Sequence, residues 1–307
     1  MDRNPDHEEP VFKAVESPFL VADDGSFAID AASTQPAGEA HEKGSKKRLR
    51  RLIKKLDKQQ RRLYADDRFS VLLVFQAIDA AGKDSTIRAV MKGINPAGCQ
   101  VFSFKKPTPE ELDHDFLWRT TVRLPERGRI GIFNRSYYEE VMVVRVHPSF
   151  LDAQRLPCRG DLSELWLQRY ESIRSHEKHL ALNGTVILKF WLNVSKEEQR
   201  RRLIARIDNP DKNWKFSAAD LHERDFWNEY MKAYEDALNA TSRTWAPWYA
   251  IPADNKPYMR ESVAEIVVRA LESLNLDYPV IAPVERQKLG DLRKQLEQDR
   301  GQSNQDA

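Results

Sequence analysis

Residues 71–86, VLLVFQAIDAAGKDST, carry a five-residue apolar strand, Val71 to Phe75, into an Ala/Gly turn, then into Lys83 and two hydroxyl residues that open a helix. A buried strand fixes such a turn in place. The backbone N–H groups from Ala80 through Ala81, Gly82 and Lys83 to Asp84 can then converge on an anion at the positive end of the helix, with Lys83 adding a point charge and Ser85 and Thr86 further donors. The spacing therefore predicts a phosphate cradle over residues 80–86.

The stretch departs from the pattern G-x-x-x-x-G-K-[ST] at two places. Ala77 stands where the first glycine would be, and Asp84 follows Lys83 where a hydroxyl residue is usual. The strand, turn, Gly82, Lys83 and helix carry the reading, because they supply the geometry whichever small residue opens the loop. An ordinary strand-to-helix turn is the plainer alternative. Asp79 speaks against it: a carboxylate inside an anion-binding loop repels phosphate unless a divalent cation or a transferred proton compensates, which points to Mg2+ chemistry or base catalysis.

Working outward, the 307-residue chain is 41% hydrophobic and 31% charged, a balance expected of a water-soluble globular protein. No apolar run approaches the roughly 18 residues a membrane helix needs, and the opening MDRNPDHEEP lacks a signal-peptide core, so a cytoplasmic protein with no membrane partner is expected. Cys99 and Cys158 form neither a metal pattern nor a disulfide framework. The overall charge of +2 hides an asymmetry: residues 1–42 carry a net −8, and residues 43–62, KGSKKRLRRLIKKLDKQQRR, a net +10. Leu49, Leu52, Ile53 and Leu56 lie at helical spacing in that basic block, so one stripe faces protein and the cations face outward. The block is either a solvated face, paired or not with the acidic leader, or a polyanion-binding strip.

Apolar strands near 71–75, 100–104, 129–133, 185–192 and 248–252 alternate with helical segments near 43–65, 83–93, 109–120, 136–146, 162–182, 196–207, 217–240 and 260–274. Alternation of this kind predicts an α/β fold with one five-stranded, doubly wound parallel sheet. Residues 1–42 read as an acidic, loosely packed arm, 43–280 as one domain, and 281–307 as a C-terminal helix and polar tail. Trp118, Trp166 and Trp227 fall on amphipathic helices and are expected in the core or at a subunit interface.

Two further segments carry chemistry. In RIGIFNRSYYEE, the strand Ile130 to Phe133 delivers Asn134, Arg135 and, a helical turn on, Glu139 to the carboxyl edge of the sheet, where open α/β folds bind ligands. Arg135 is the expected bidentate phosphate clamp, a structural arginine at the sheet edge being the alternative. In RRLIARIDNPDKNWKFSAADLHERD, Pro210 and an Asn/Asp cluster interrupt a basic helix before a new helix capped by Ser217. This predicts a lid over about 206–225, with Arg206, Lys212 and Lys215 closing on phosphates, or a plain surface hairpin.

Taken together, QAIDAAGKDSTI, GCQVFSFKKPTPEELDHDFLWR, LPERGRIGIFNRSYYEEV and DNPDKNWKFSAADLHERDFWNEYMKAYEDAL resemble, in chain order over roughly residues 45–275, the polyphosphate kinase 2 family, particularly its class III branch. The resemblance implies a phosphate-loop kinase core with a helical lid, and an enzyme moving phosphoryl groups from inorganic polyphosphate to AMP and ADP, giving ADP and ATP. It implies that Asp79 binds Mg2+, with Mn2+ as a substitute, that Lys83 and Arg135 meet the transferring phosphate, and that Asn134 with Glu139 accompany monophosphate acceptance. Adenine or guanine nucleotides are the expected partners, and a homo-oligomer, dimer or tetramer, the expected assembly. An ATP-dependent nucleoside monophosphate kinase and a non-catalytic polyanion- or nucleotide-binding module remain as alternatives. Nucleic acid is not an expected partner, since the cations are confined to one helix and no base-reading motif is present.

Overall fold

A computed structural model describes residues 9–38, 44–211, 213 and 221–302. Five strands, β1 (Ser70–Gln76), β2 (Cys99–Ser103), β3 (Ile130–Asn134), β4 (Thr185–Asn193) and β5 (Trp248–Pro252), form one parallel sheet in the order β2-β3-β1-β4-β5. The main helices are α1 (Ser45–Asp66), α2 (Lys83–Val90), α3 (Leu162–Leu182), α4 (Lys196–Ile207), α5 (Trp227–Thr241), α6 (Lys256–Ser273) and α7 (Pro283–Gln302). One compact unit ends at Leu276 and a second, holding α7, begins at Asp277. No helix among the described residues is long and apolar enough to cross a membrane.

Every residue of β1 is buried, because a parallel sheet is covered on both faces and its central strands must be apolar on both sides. Successive side chains point oppositely. Val71, Leu73 and Phe75 therefore join one core with Leu56 and Leu63 of α1, Ile87 of α2 and Val263 and Val267 of α6. Leu72 and Val74 join the other with Trp166 and Ile173 of α3 and Tyr234 and Leu238 of α5. The chain leaves β1 for β2 on one side and later crosses from β3 to β4 on the other. A crevice consequently opens at the carboxyl end of β1.

Four sequence expectations change. The acidic arm is not loosely packed over its described residues 9–38. Phe12 and Val21 are buried, Leu20 bridges Tyr249 antiparallel, Val21 N donates to Trp248 O at 2.9 Å and Ala250 N to Phe19 O at 2.8 Å. The arm thus covers the β5 edge, which would otherwise expose unpaired backbone groups. The helix expected over 109–120 is two single turns, Pro109–Leu112 and Trp118–Thr121. Asp115 accepts from Leu117 N at 2.9 Å, a local side-chain bond that restarts the helix. The helix expected over 136–146 is likewise split into turns at Tyr137–Glu140 and Val143–Val146. The helix expected over 217–240, capped by Ser217, lies outside the described residues at its start; residues 221 and 222 are helical, a tighter turn at Glu223–Phe226 interrupts them, and α5 continues from Trp227.

The basic block forms α1 and lies along α6. Arg48 pairs with Glu261, Lys55 with Glu272 at 3.6 Å, and Arg61 with Asp57 at 3.0 Å. Part of its charge therefore fastens helix to helix, while Lys46, Lys47, Arg50, Arg51 and Lys54 are exposed.

A polar network in the second core sets the turn after β3. Lys189 on β4 and Glu177 on α3 are both 0% exposed and 2.6 Å apart. The Lys189 ammonium also donates to Tyr138 Oη at 3.0 Å and Thr241 O at 2.8 Å. Tyr137 and Tyr138 each reach Glu177 Oε1, at 2.8 and 2.9 Å. Both tyrosines precede Glu139, so this network fixes the turn that carries Glu139 towards the crevice.

Candidate active site

The loop from Ala77 to Gly82 curls at the carboxyl end of β1. Two of its residues have left-handed backbone, Ala80 at φ 61° and Gly82 at φ 110°. Gly82 is the N-cap of α2 and offers no side-chain cap, so the first N–H groups of the helix have no intrahelical acceptor and are available to an anion. Lys83 is 8% exposed, and its ammonium donates to Ala77 O at 2.5 Å and Ile78 O at 3.3 Å. Burial, with Arg135 reinforcing it, holds the Lys83 amine below its usual range, against the pull of Asp79, Glu139 and Asp84.

Arg135 leaves β3 with φ 64°, a conformation that costs a non-glycine residue energy and that is often kept at functional positions. Its backbone N–H is held by Phe75 O at 3.0 Å. The guanidinium then reaches Asp79 Oδ1 at 2.9 Å and Glu139 Oε2 at 3.8 Å. Burial opposes that charge, but Glu139 and Asp79 raise its proton affinity above the usual value. Burial raises the Glu139 carboxyl, although Arg135 and Lys83 pull the other way. Asn134 donates to Asp84 Oδ1 at 2.8 Å and Ser103 Oγ at 3.3 Å, linking β2, β3 and the start of α2.

Asp79, Lys83, Asp84, Asn134, Arg135 and Glu139 are therefore brought together at one sheet edge. Ala80, Ala81 and Gly82 form the loop beside them, and Ser85 Oγ donates to Gly82 O at 3.0 Å. Thr86, also expected at the phosphate, is 0% exposed and turns its hydroxyl to the Met259 sulfur at 3.7 Å. It is a core contact because its position on α2 faces α6. Arg206 lies in the last turn of α4, one turn beyond the residues that touch the loop. Lys212 and Lys215 lie outside the described residues.

Local pattern alone missed the loop's fastenings. Gln199 Nε2 donates to Asp79 O at 3.0 Å. Arg202, 7% exposed, donates to Ala81 O at 2.6 Å and Ala80 O at 3.3 Å with one nitrogen, and to Ala253 O at 2.6 Å and Asp254 O at 3.1 Å with another. It staples the loop to the turn after β5. The one available signal was the Glu198–Arg202 spacing of four on a helix, realised at 2.6 Å. Replacing Arg202 with methionine leaves several buried carbonyls without a donor and is expected to cost about 2–3 kcal/mol, read as a lower urea midpoint. An unchanged midpoint would mean the staple carries no stability.

Among the described residues no three His, Cys, Asp or Glu side chains converge on a ready-made metal cage. Mg2+ needs none, since it takes one or two carboxylates and completes its shell with substrate phosphates and water. Asp79 and Asp84 supply hard oxygen donors of that kind, so the donor set fits a cation delivered with phosphate.

A five-stranded parallel sheet whose central strand feeds a glycine-lysine loop, faced by an arginine from the neighbouring strand, defines a phosphate-loop fold of the kinase type. The family model "Polyphosphate kinase 2 (PPK2)" matches residues 39–279, and the chain belongs to that family. A relative named ADP-polyphosphate phosphotransferase, from Rhodopseudomonas palustris, is 56% identical over 249 residues, covering 81% of this chain and 86% of the relative. One named AMP/ADP-polyphosphate phosphotransferase, from Meiothermus ruber, is 44% identical over 264 residues, covering 85% and 94%. The crystal structure of polyphosphate kinase 2 from Arthrobacter aurescens superposes with a TM-score of 0.80 at 36% identity, covering 91% of this chain and 99% of that one.

Proposed function

We propose that this enzyme transfers the terminal phosphoryl group of inorganic polyphosphate to AMP and to ADP, giving ADP and ATP. The observation that carries the reading is the meeting of Lys83 and Arg135 with Asp79 and Glu139 at one loop. A site that merely bound polyanions would gain nothing from carboxylates set beside its cations. A phosphotransferase must bring two anions together and neutralise charge that grows on the transferring group.

In this reading the N–H groups at the start of α2 and the Lys83 ammonium hold the donor's terminal phosphate. Arg135 parts from Asp79 and Glu139 to span donor and acceptor phosphates, its planar fork suiting two oxygens at once. Asp79 and Asp84 hold Mg2+, which supplies charge neutralisation on the phosphate oxygens when bound. Glu139, disposed by burial to keep a proton more readily than an ordinary carboxyl, and Asn134 face the acceptor and set its acceptance of a monophosphate. A lid carrying Arg206 and, outside the described residues, Lys212 and Lys215 would keep water from the reacting groups.

The test offers AMP, ADP, GMP and GDP separately with long-chain polyphosphate and Mg2+, without ATP, and resolves the nucleotide products over time. ADP followed by ATP is expected from AMP, and the guanine arms report base preference. Product formed from AMP only when ATP is added would identify an ATP-dependent nucleoside monophosphate kinase instead.

A further inference from the structure

Five tyrosines are buried in the second core, and four of them have their hydroxyls bonded within the protein. Tyr137 and Tyr138 donate to Glu177 at 2.8 and 2.9 Å, Tyr230 donates to Glu223 at 2.6 Å, and Tyr170 accepts from Arg145 at 2.7 Å. The fifth, Tyr234 on α5, is 3% exposed, and its hydroxyl forms no hydrogen bond among the described residues. Its ring lies on Trp191, with centroids 5.6 Å apart. Trp191 is paired in register with Gln76, the last residue of β1, so Tyr234 sits over the point where the chain leaves the sheet for Asp79. Burial, followed by Glu139 and Asp79, holds the Tyr234 phenol well above the usual tyrosine range, with Arg135 opposing. Three charged groups of the crevice therefore act on this one hydroxyl.

A buried phenol ordinarily finds a hydrogen-bond partner, because an unmade bond there costs free energy. Kept protonated, this one is a donor and not a base. It lies on the α3 and α5 face of the sheet, whereas α2, whose first N–H groups seat the donor, packs on the opposite face. The oxygens it awaits are therefore those of the acceptor. We infer that Tyr234 is a further catalytic residue, whose hydroxyl donates a hydrogen bond to the phosphate of the acceptor nucleotide and turns it towards the donor. This rests on the reading under Proposed function, in which the acceptor enters beside Arg135, and adds the group that orients it. A neutral donor suits that place. The acceptor oxygen must attack, and a further cation would draw electron density from it, while a phenol aligns the phosphate and adds no charge.

The test compares the wild type with Y234F, which keeps the ring on Trp191 and removes only the hydroxyl oxygen. Since that oxygen is bonded to no described residue, the urea midpoint should not fall. Calorimetric titration with AMP, without polyphosphate, should show binding weakened about ten- to a hundredfold, the scale of a hydrogen bond to a charged group. Adenosine, which has no phosphate, should bind both proteins equally. In turnover, kcat/KM for AMP and for ADP should fall by comparable factors, because each brings its terminal phosphate to the same place, and KM for long-chain polyphosphate should stay unchanged. Full AMP affinity and turnover in folded Y234F would overturn the assignment. An equal loss of adenosine affinity would overturn it too, by moving the contact to the nucleoside, and a lowered urea midpoint would do so by making the hydroxyl structural. A wild type that turns over no polyphosphate, yet loses AMP affinity on Y234F, would overturn the reading under Proposed function and leave Tyr234 on the nucleotide's phosphate.

Discussion

Replacing Lys83 with alanine is expected to lower kcat by about 10²–10³-fold, the scale on which a positioned transition-state donor is lost, while the protein stays folded. Both halves follow from the environment of the ammonium. It is 8% exposed and bonded to the loop carbonyls of Ala77 and Ile78, and burial followed by Arg135 already works against its charge. The fold therefore gains little from it, and removing it relieves a desolvated cation at the cost of leaving Ala77 O without that donor. These opposing changes should leave the thermal midpoint within a few degrees of wild type. The transferring phosphate has no such substitute: the α2 N–H groups remain, but the point charge at the developing negative oxygens does not. K83R should rescue poorly, because a planar fork does not fit a pocket shaped by two carbonyls around an ammonium. Near-wild-type turnover by folded K83A would remove this loop from the chemistry.

The largest expected effect on stability is at Lys189. K189M removes one partner of a pair that is 0% exposed on both sides and leaves Glu177 as a buried, uncompensated charge, a change that costs about 3–5 kcal/mol. K189M/E177Q should recover most of the loss, since the amide oxygen still accepts from Tyr137 and Tyr138 and no charge is stranded. The pair also predicts a pH dependence. Burial pulls the Lys189 amine down from 10.5 to about 8, with Glu177 opposing. Between those pH values the unfolded chain binds more protons at this residue than the folded one, so its contribution makes stability rise with pH across that window. Urea unfolding of the wild type and of K189M/E177Q at pH 7.5 and pH 10 isolates it: the wild type should gain relative to the double variant. Equal pH dependence, or a K189M midpoint unchanged from wild type, would contradict this account of the second core.

The sheet was legible in the sequence because its strands are continuous apolar runs that need no distant information to be read. β1 and β4 also occupy the covered centre of the sheet, where both faces must be apolar. The glycine-lysine loop was legible for the same reason, its residues being neighbours in the chain. What escaped depends on contacts across the chain or on one side chain. Nothing in PEELDHDFLWRT marks Asp115 as the residue that restarts a helix, since its periodicity fits one helix as well as two. The acidic arm concealed Phe12, which is buried in the first core, and Val21, whose backbone partner Trp248 on β5 is more than two hundred residues away. Arg202 read as one cation among many in a basic helix, and only the approach of α4 to both the loop and the β5 turn gives it four carbonyls. Arg135 was singled out for its chemistry, but its left-handed backbone, which turns the side chain back to Asp79, is a product of the packed sheet edge.

The account stands on the claim that the donor's terminal phosphate is seated at the start of α2 between Lys83 and Arg135. A crystal structure of the enzyme with AMP, Mg2+ and a polyphosphate analogue whose bridging oxygens are methylenes tests it directly. The account predicts a terminal phosphonate within hydrogen-bond distance of the Lys83 ammonium and the α2 N–H groups, with the AMP phosphate on the Arg135 side. A polymer bound elsewhere on the enzyme, with nothing seated at the Gly82 turn, would contradict it.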